Sequence, residues 1–373
     1  EAHEVKLLVQ LSEAADALFS AVADDLEKMR ASSNDAITLW PDKPMEGVKG
    51  LDYQSKLERL RVLQGEEHVS NSLPYQRLKT AMDAWCALWL WPLDQAEKLP
   101  SRPEWLRDLS LILLGGMTSD GEITLPEGVE LPDAPKDLVQ MMEARQAVAE
   151  EIAADLPSKT ISAALFQATY IDTLIRNSPW LRVARETARR ERFVHYDLIF
   201  ADIQRARGGF DLIVGNPPWA KPSWNEGLVL ADIDPKHMNL SASDAKKILA
   251  GALAQAKGEA RFLEEFVSTR GAMAVTSSEL TFPYAGNGQN NLYRCFADLA
   301  FRLMSRDGYS ALIHQDGHLG DPKSGGFRRH WYARIAKHFH FRNEMKAKNF
   351  AEVHNEVSFS LNIYRGEPSE VSF

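Results

Sequence analysis

Cysteine is almost missing from this chain. Cys86 and Cys295 are its two examples, far apart and each in an apolar helical context. No disulfide framework can be drawn from them, and both read as reduced core thiols of a cytoplasmic protein. Also missing is any apolar run long enough to span a bilayer, or the pattern of a signal peptide, so no membrane partner is expected. There is no internal repeat and no low-complexity tract. Positive charge is in deficit: 43 Lys and Arg stand against 52 Asp and Glu, a formal net charge of −9. That excludes a protein coated in positive charge. It does not exclude a DNA binder, which needs only a basic contacting face. Phosphate loops are lacking too. Gly115-Gly116-Met117-Thr118-Ser119-Asp120-Gly121 has the wrong spacing and no helix directly after it, and Gly286-Asn287-Gly288 is followed by no Lys-Ser/Thr.

What is present suits a globular protein. The 373 residues are 45% hydrophobic and 25% charged, enough for two domains. Residues 1–180 read as all-helical. Leu8, Leu11, Ala15, Leu18 and Val22 recur at helical spacing. Pro74 opens and Pro92 closes a segment with three tryptophans, Trp85, Trp89 and Trp91. No basic residues interleave them, so they read as helical core rather than a base-stacking platform. Leu106–Leu114 extends the helical region, and Lys136–Asp155 and Ile161–Asn177 read as two more helices. Residues 181–373 read as α/β: strands at Phe193–Ile203, Phe210–Val214, Tyr309–His314, Phe339–Met345 and Val357–Tyr364. Between them lie helices at Ser243–Thr269, Asn291–Arg306 and Phe327–Lys337, the last carrying Arg328, Arg329, Arg334 and Lys337. Asp307-Gly308 is expected to stop the helix before it.

One stretch organises the rest: Gly209-Phe210-Asp211-Leu212-Ile213-Val214-Gly215-Asn216-Pro217-Pro218-Trp219. Its apolar run suits a strand covered on both faces, as in a parallel sheet. Two prolines cannot donate to a ladder, so the strand must end there. A polar Asn216 and an aromatic Trp219 are thereby held at the carboxyl end of a strand, where open α/β sheets bind ligands. The chemistry this tip suits is methyl transfer to a planar amino group, whose delocalised lone pair makes it a poor nucleophile. Two acceptors against its two hydrogens, the Asn216 carboxamide oxygen and the Pro217 carbonyl, would return that lone pair. Pro218 helps to stiffen the turn, and Trp219 can stack on the ring.

Asn-Pro-Pro-Trp after a Gly-Phe-Asp-hydrophobic strand resembles the catalytic motif of S-adenosylmethionine-dependent N6-adenine DNA methyltransferases. More closely it resembles the large methylases of type IIG restriction-modification and phage-defence (PglX-like) systems. The resemblance covers residues 193 to the end in order, and the helical segment less specifically. It implies a partial Rossmann-like methyltransferase sheet, S-adenosyl-L-methionine as cofactor, double-stranded DNA as substrate, and other restriction or defence subunits as possible company. It implies a flipped adenine stacked by Trp219 and by Phe350, although a core Phe in a hairpin loop is the competing reading of Phe350. Lys346 and Lys348 beside it, with Lys221, Arg328 and Arg329, suit phosphates. An acidic residue facing the cofactor's adenine is expected at Asp202, with Asp197 competing. The run Arg182, Arg185, Arg189, Arg190 and Arg192 reads equally as a solvated helix face or as phosphate contacts.

The family's glycine-rich cofactor loop is not found in residues 1–209, and the chain begins with Glu1. Either that loop lies upstream of Glu1 or the fold is permuted; the expectation is a catalytic-subdomain piece of a longer polypeptide that binds the cofactor poorly by itself. Asn291-Leu292-Tyr293 stands where similar methylases show Asp-Leu-Tyr. His314, His318, His338 and His340 are read as non-ligands, because no second ligand pair is evident and no metal is expected. Three readings compete with adenine methylation: a protein glutamine methyltransferase, which uses the same Asn-Pro-Pro tip; N4-cytosine methylation; and a non-catalytic fragment that docks on DNA or a partner.

Overall fold

A computed structural model describes residues 2–32, 51–64, 73–114, 171–235, 238, 241–254, 258–285, 291–344, 350, 353–354 and 356–371. The segments at 115–135 and 136–155, most of the helix expected at 161–177, and Lys346 and Lys348 lie outside them. The chain forms two compact units, the first Glu1–Ala87 with Lys98–Arg205, the second Leu88–Glu97 with Ala206–Phe373. The division falls at 205/206 rather than at 180/181. The physical reason is the helix after Ser178, whose buried Trp180, Leu181, Val183, Ala184 and Ala188 belong to the helical core.

Unit 1 is helical. Its described helices are α1 (Ala2–Ser32), α2 (Tyr53–Gln64), α3 (Pro74–Ala87), α4 (Arg102–Leu114), α5 (Ile171–Asn177), α6 (Pro179–Glu191) and α7 (Tyr196–Ile199). The next, α8 (Ala201–Arg207), runs across the division. The strand expected at Phe193–Ile203 is instead α7 and α8. Its apolar residues recur at Leu198 and Ala201, both buried, a spacing of three that a single helical face satisfies. Asp108, 1% exposed, accepts from Ser178 Oγ at 2.9 Å and Trp180 Nε1 at 2.7 Å, so α4 holds the start of α6. On α6 the arginines occupy the outer side, Arg185 pairing with Asp172 at 2.6 Å. Of the tryptophan cluster, Trp91 is buried, while Trp85 is 46% exposed and meets Trp105 at a tilt of 57°. Core burial thus describes only part of that cluster.

Unit 2 carries a four-stranded sheet in the order β1-β2-β4-β3: β1 (Phe210–Gly215), β2 (Met304–Gln315), β3 (Ile335–Arg342) and β4 (Ser358–Arg365). β1 runs parallel to β2, and β4 runs antiparallel to both β2 and β3. Between β1 and β2 lie α9 (Glu226–Ile233), α10 (Ala242–Leu253), α11 (Gly258–Thr276) and α12 (Leu292–Leu303). Between β2 and β3 lie α13 (Gly317–Gly320) and α14 (Gly325–Arg334). The fold is mixed α/β, a partial Rossmann-like sheet with a helical N-terminal region.

One sheet face is buried. Tyr293, Ala297, Ala300 and Phe301 of α12, Phe327 and Trp331 of α14, and Leu312 and Tyr364 of the sheet form its core, with Ile213 and Trp219 packed against it. Each helix presents its apolar stripe at a spacing of three and four. α12 ends at Leu303, and Asp307-Gly308 does not stop a helix but lies inside β2. β1 starts where backbones nearly touch: Gly209 has φ +133°, and a Cβ there would stand 2.4 Å from the Leu303 carbonyl oxygen. Only glycine fits.

The other face corrects the sequence reading of β1. Leu212 pairs with Tyr309 and Val214 with Ala311, so both share a face with Phe339 and Phe341 of β3 through the β4 register. Leu212 is 64% and Val214 71% exposed. Among the described residues β1 is an edge strand with one open side, not a strand covered on both faces. An apolar run is the same whether its covering lies in these residues or elsewhere, which is why periodicity misjudged it.

Candidate functional site

The site is built where β1 and β2 end. Asn216 follows the last residue of β1, is exposed, and makes no hydrogen bond with another described residue. Pro217 is buried and Pro218 exposed. The turn is then fastened at two points. Trp219 Nε1 donates to the Ile313 carbonyl at 3.1 Å, and the Leu292 amide donates to the Ala220 carbonyl at 2.8 Å. Prolines fix φ on one side and these bonds fix the other, so the Asn216 side chain is presented by rigid backbone.

Asn291 caps α12 with Oδ1 toward the Tyr293 amide, and its Nδ2 donates to Gln315 Oε1 at 3.2 Å. Asn and Asp are both strong N-caps. That accounts for asparagine at this position.

Aromatic rings converge on Trp219. Phe350 meets it edge-on with centroids 4.9 Å apart, and Phe359 lies 5.6 Å from it. Phe350 is held by Asn343, which is wholly buried at the end of β3. Asn343 Oδ1 accepts from the Phe350 amide at 3.2 Å, and its Nδ2 donates to the carbonyls of Phe350 (3.0 Å) and Val353 (2.9 Å). One side chain therefore replaces a run of ladder hydrogen bonds across the turn. Nothing in the sequence marked Asn343, because its partners are set by the return of the chain and not by local spacing.

Behind the rim lies a buried polar core. Tyr293 stacks on His314 at 4.7 Å. His314 Nδ1 donates to the Gln315 carbonyl at 2.9 Å, and its Nε2 accepts from the Tyr364 hydroxyl and from Asn362 Nδ2. Trp331 Nε1 donates to the same hydroxyl at 2.8 Å, which fixes the direction of that proton. Burial pushes His314 down to about 4 and His318 down to about 3, so both are neutral near pH 7.

Other expected site residues fare differently. Arg328 sits half-buried, with Nη1 donating to the carbonyls of His318 (2.7 Å) and Asp321 (2.6 Å); it closes the turn before α14. Arg334 is buried between the rings of Tyr284 and Phe301. Arg329 and Lys221 are exposed. Asp202 lies in the first turn of α8 and not at a strand end, and Arg30 Nε pairs with it at 2.7 Å. The reason is the helical spacing already noted, which turns this carboxylate toward α1. The stretch after Trp219 holds α9 and is anchored by Trp224, which meets Phe262 and Phe266 of α11 edge-on.

No family model matches the chain, and no curated protein does. Among solved structures, a DrdV–DNA complex aligns at 11% identity over 97% of this chain and 42% of its own, with a TM-score of 0.25. A nuclease-deletion mutant of the type ISP restriction-modification enzyme LlaGI, in complex with a DNA substrate mimic, aligns at 9% identity over 96% of this chain and 34% of its own, with a TM-score of 0.20. The chain spans less than half the length of either. Likeness of this degree carries no argument about function. Among the described residues no helix is long and apolar enough to cross a membrane.

Proposed function

We propose that unit 2 binds a planar amino group at the β1 tip, and that the protein is a DNA methyltransferase acting on the N6 amino group of adenine. The observation that carries this reading is the state of Asn216. Its carboxamide is exposed and without a partner among the described residues, on a turn fixed by Pro217, Pro218 and the Trp219–Ile313 bond. A free amide on rigid backbone at the end of a parallel pair is a ligand group held ready.

The chain's own groups then have separable tasks. Asn216 Oδ1 and the Pro217 carbonyl each accept one hydrogen of the amino group, drawing its nitrogen out of conjugation. Trp219, edged by Phe350, supplies the ring face on which the base rests. An adenine in a duplex must leave the stack to reach this tip, at a cost of a few kcal/mol that stacking partly offsets. S-adenosyl-L-methionine is the methyl donor implied by the resemblance. Asp202, the acid expected to face it, is instead paired with Arg30, so no residue here is assigned to the donor and no step is derived through it. Lys221 and Arg329, both exposed, are the candidates for phosphate contact.

The test is genomic. The full-length polypeptide is expressed in a host lacking adenine methylation, and long-read sequencing reports N6-methyladenine and its context. Methylation should appear at one short motif and vanish with Asn216→Ala. Methylation that survives this substitution removes the tip from the mechanism.

A further inference from the structure

The sequence offers His338 and His340 as a pair lacking companions. The sheet supplies the missing one. β3 and β4 are antiparallel, with His338 opposite Asn362 and His340 opposite Ser360, while His314 of β2 also stands opposite Ser360. Residues two apart share a face, so His338 and His340 project together, and Asp316 just beyond β2 reaches the same place. A nitrogen or oxygen ligand atom of each of Asp316, His338 and His340 lies within 4.8 Å of the others.

We propose that these three residues form a binding site for a divalent transition-metal ion of the zinc class. The proposal is independent of the methyl-transfer reading.

Three features support a metal over a chance cluster. First, the donors suit the ion: two borderline imidazoles beside one carboxylate favour Zn2+, Fe2+ or Co2+ over hard cations. Second, each donor but one is oriented from behind. Asn362 Oδ1 accepts the Nδ1 proton of His338 at 2.8 Å, leaving Nε2 as that ring's lone-pair nitrogen. Ser360 Oγ donates to Asp316 Oδ1, leaving Oδ2 toward the histidines. Asn362 Nδ2 in turn donates to Ser360 Oγ at 2.8 Å. This is the outer-shell arrangement that fixes tautomer and carboxylate at metal sites. Third, the carboxylate is buried while both rings are exposed, so an ion can enter from solvent.

In the structure His340 Nδ1 lies 2.8 Å from Asp316 Oδ2, donating to it. Binding needs that nitrogen's lone pair, so the proton moves to His340 Nε2, on an exposed ring. This is a change of tautomer with no net release. Ligands about 2.0–2.1 Å from a tetrahedral ion stand roughly 3.3 Å apart. The two exposed rings therefore close by rotation, with water completing the coordination. The ion would join the end of β2 to β3, the strand that leads into Asn343 and Phe350.

Isothermal titration calorimetry of the whole chain with ZnCl2 tests this, with CoCl2 and MgCl2 in parallel. One equivalent of zinc should bind saturably, cobalt should give the visible absorption of a low-coordinate ion, and magnesium should give no heat. His338→Ala and His340→Ala should each weaken zinc by about tenfold or more, and the double variant should abolish it. Should either variant lose its native melting transition, the wild-type chain supplies a second readout. Zinc should shift the ring nitrogens of His338 and His340 in long-range proton–nitrogen spectra and leave those of His318 in place. No saturable binding up to millimolar zinc, or zinc binding unchanged in the double variant, overturns the site.

Discussion

Two asparagines close two strands of the same sheet, and the chain treats them oppositely. After β3, Asn343 is wholly buried and gives both ends of its carboxamide to the backbone of residues 350–354. After β1, Asn216 is exposed and gives its carboxamide to no other described residue. Both side chains have the same donor and acceptor inventory. A saturated amide has spent its capacity on the fold. An unsaturated one, on equally stiff backbone, keeps its capacity for a ligand. The contrast separates architecture from function without reference to residue type.

The comparison is most exposed to Asn216→Ala. It should lower the rate of methyl transfer about 100- to 1000-fold, the effect of removing one aligned polar group from a reacting centre. The melting temperature should not move, because no fold contact is lost. A fall in stability with the rate would show that Asn216 belongs with Asn343. The reciprocal substitution, Asn343→Ala, should cost about 3 kcal/mol or more in chemical denaturation, since it leaves the Phe350 amide and several carbonyls unpaired in a buried place. It should also lower activity, by releasing Phe350 from Trp219. Asn343→Asp keeps the acceptor for the Phe350 amide but sets a buried carboxylate oxygen against those carbonyls, so it should cost at least as much as Asn343→Ala.

Smaller effects sharpen the aromatic part. Trp219→Ala should weaken binding of duplex DNA carrying an unpaired adenine by about 1–3 kcal/mol, the range for one base–aromatic stack. Phe350→Ala should weaken it less. Phe350 touches Trp219 edge-on in this structure, and an edge supports a stacking ring without offering its own face. Equal losses from the two substitutions would mean that both rings meet the base.

Much of this was legible in the chain, for identifiable reasons. The β1 tip showed because consecutive prolines after an apolar run have one structural meaning. α12 showed through the helical spacing of Leu292, Phe296, Leu299, Ala300 and Leu303, although Phe296 is 45% exposed and the buried face carries Tyr293, Ala297, Ala300 and Phe301; β4 showed through the alternation of Phe359, Leu361 and Ile363. The failures have a common cause. The 193–203 segment is short and apolar, so periodicity does not separate strand from helix, and the strand end expected at Asp202 does not exist. The division at 205/206 depends on α6 packing against α3, and the Asn343 clasp and the approach of Asp316 to His338 depend on strand register. Non-local pairing leaves no mark in a sequence window.

The smallest effect tests the openness of β1. Val214 and Leu312 lie on adjacent strands, one residue out of register: Val214 pairs with Ala311 and Gly215 with Leu312. Their side chains therefore point to opposite faces. Leu312 is 4% exposed and Val214 71%. Leu312→Ala should cost about 2–5 kcal/mol, as for a truncated core leucine. Val214→Thr, of nearly equal volume, should change stability by about 0.5 kcal/mol or less, as at other surface sites. Both are read from the same urea titration of the same chain, so a shared error in the baseline cancels. If Val214→Thr costs as much as a buried polar substitution, something covers that face in solution. The sheet would then have two cores, and the Asn216 turn would be framed from both sides. A near-zero cost leaves β1 supported from one side only, and the stiffness of its tip then rests on Pro217, Pro218 and the bond from Trp219 to Ile313.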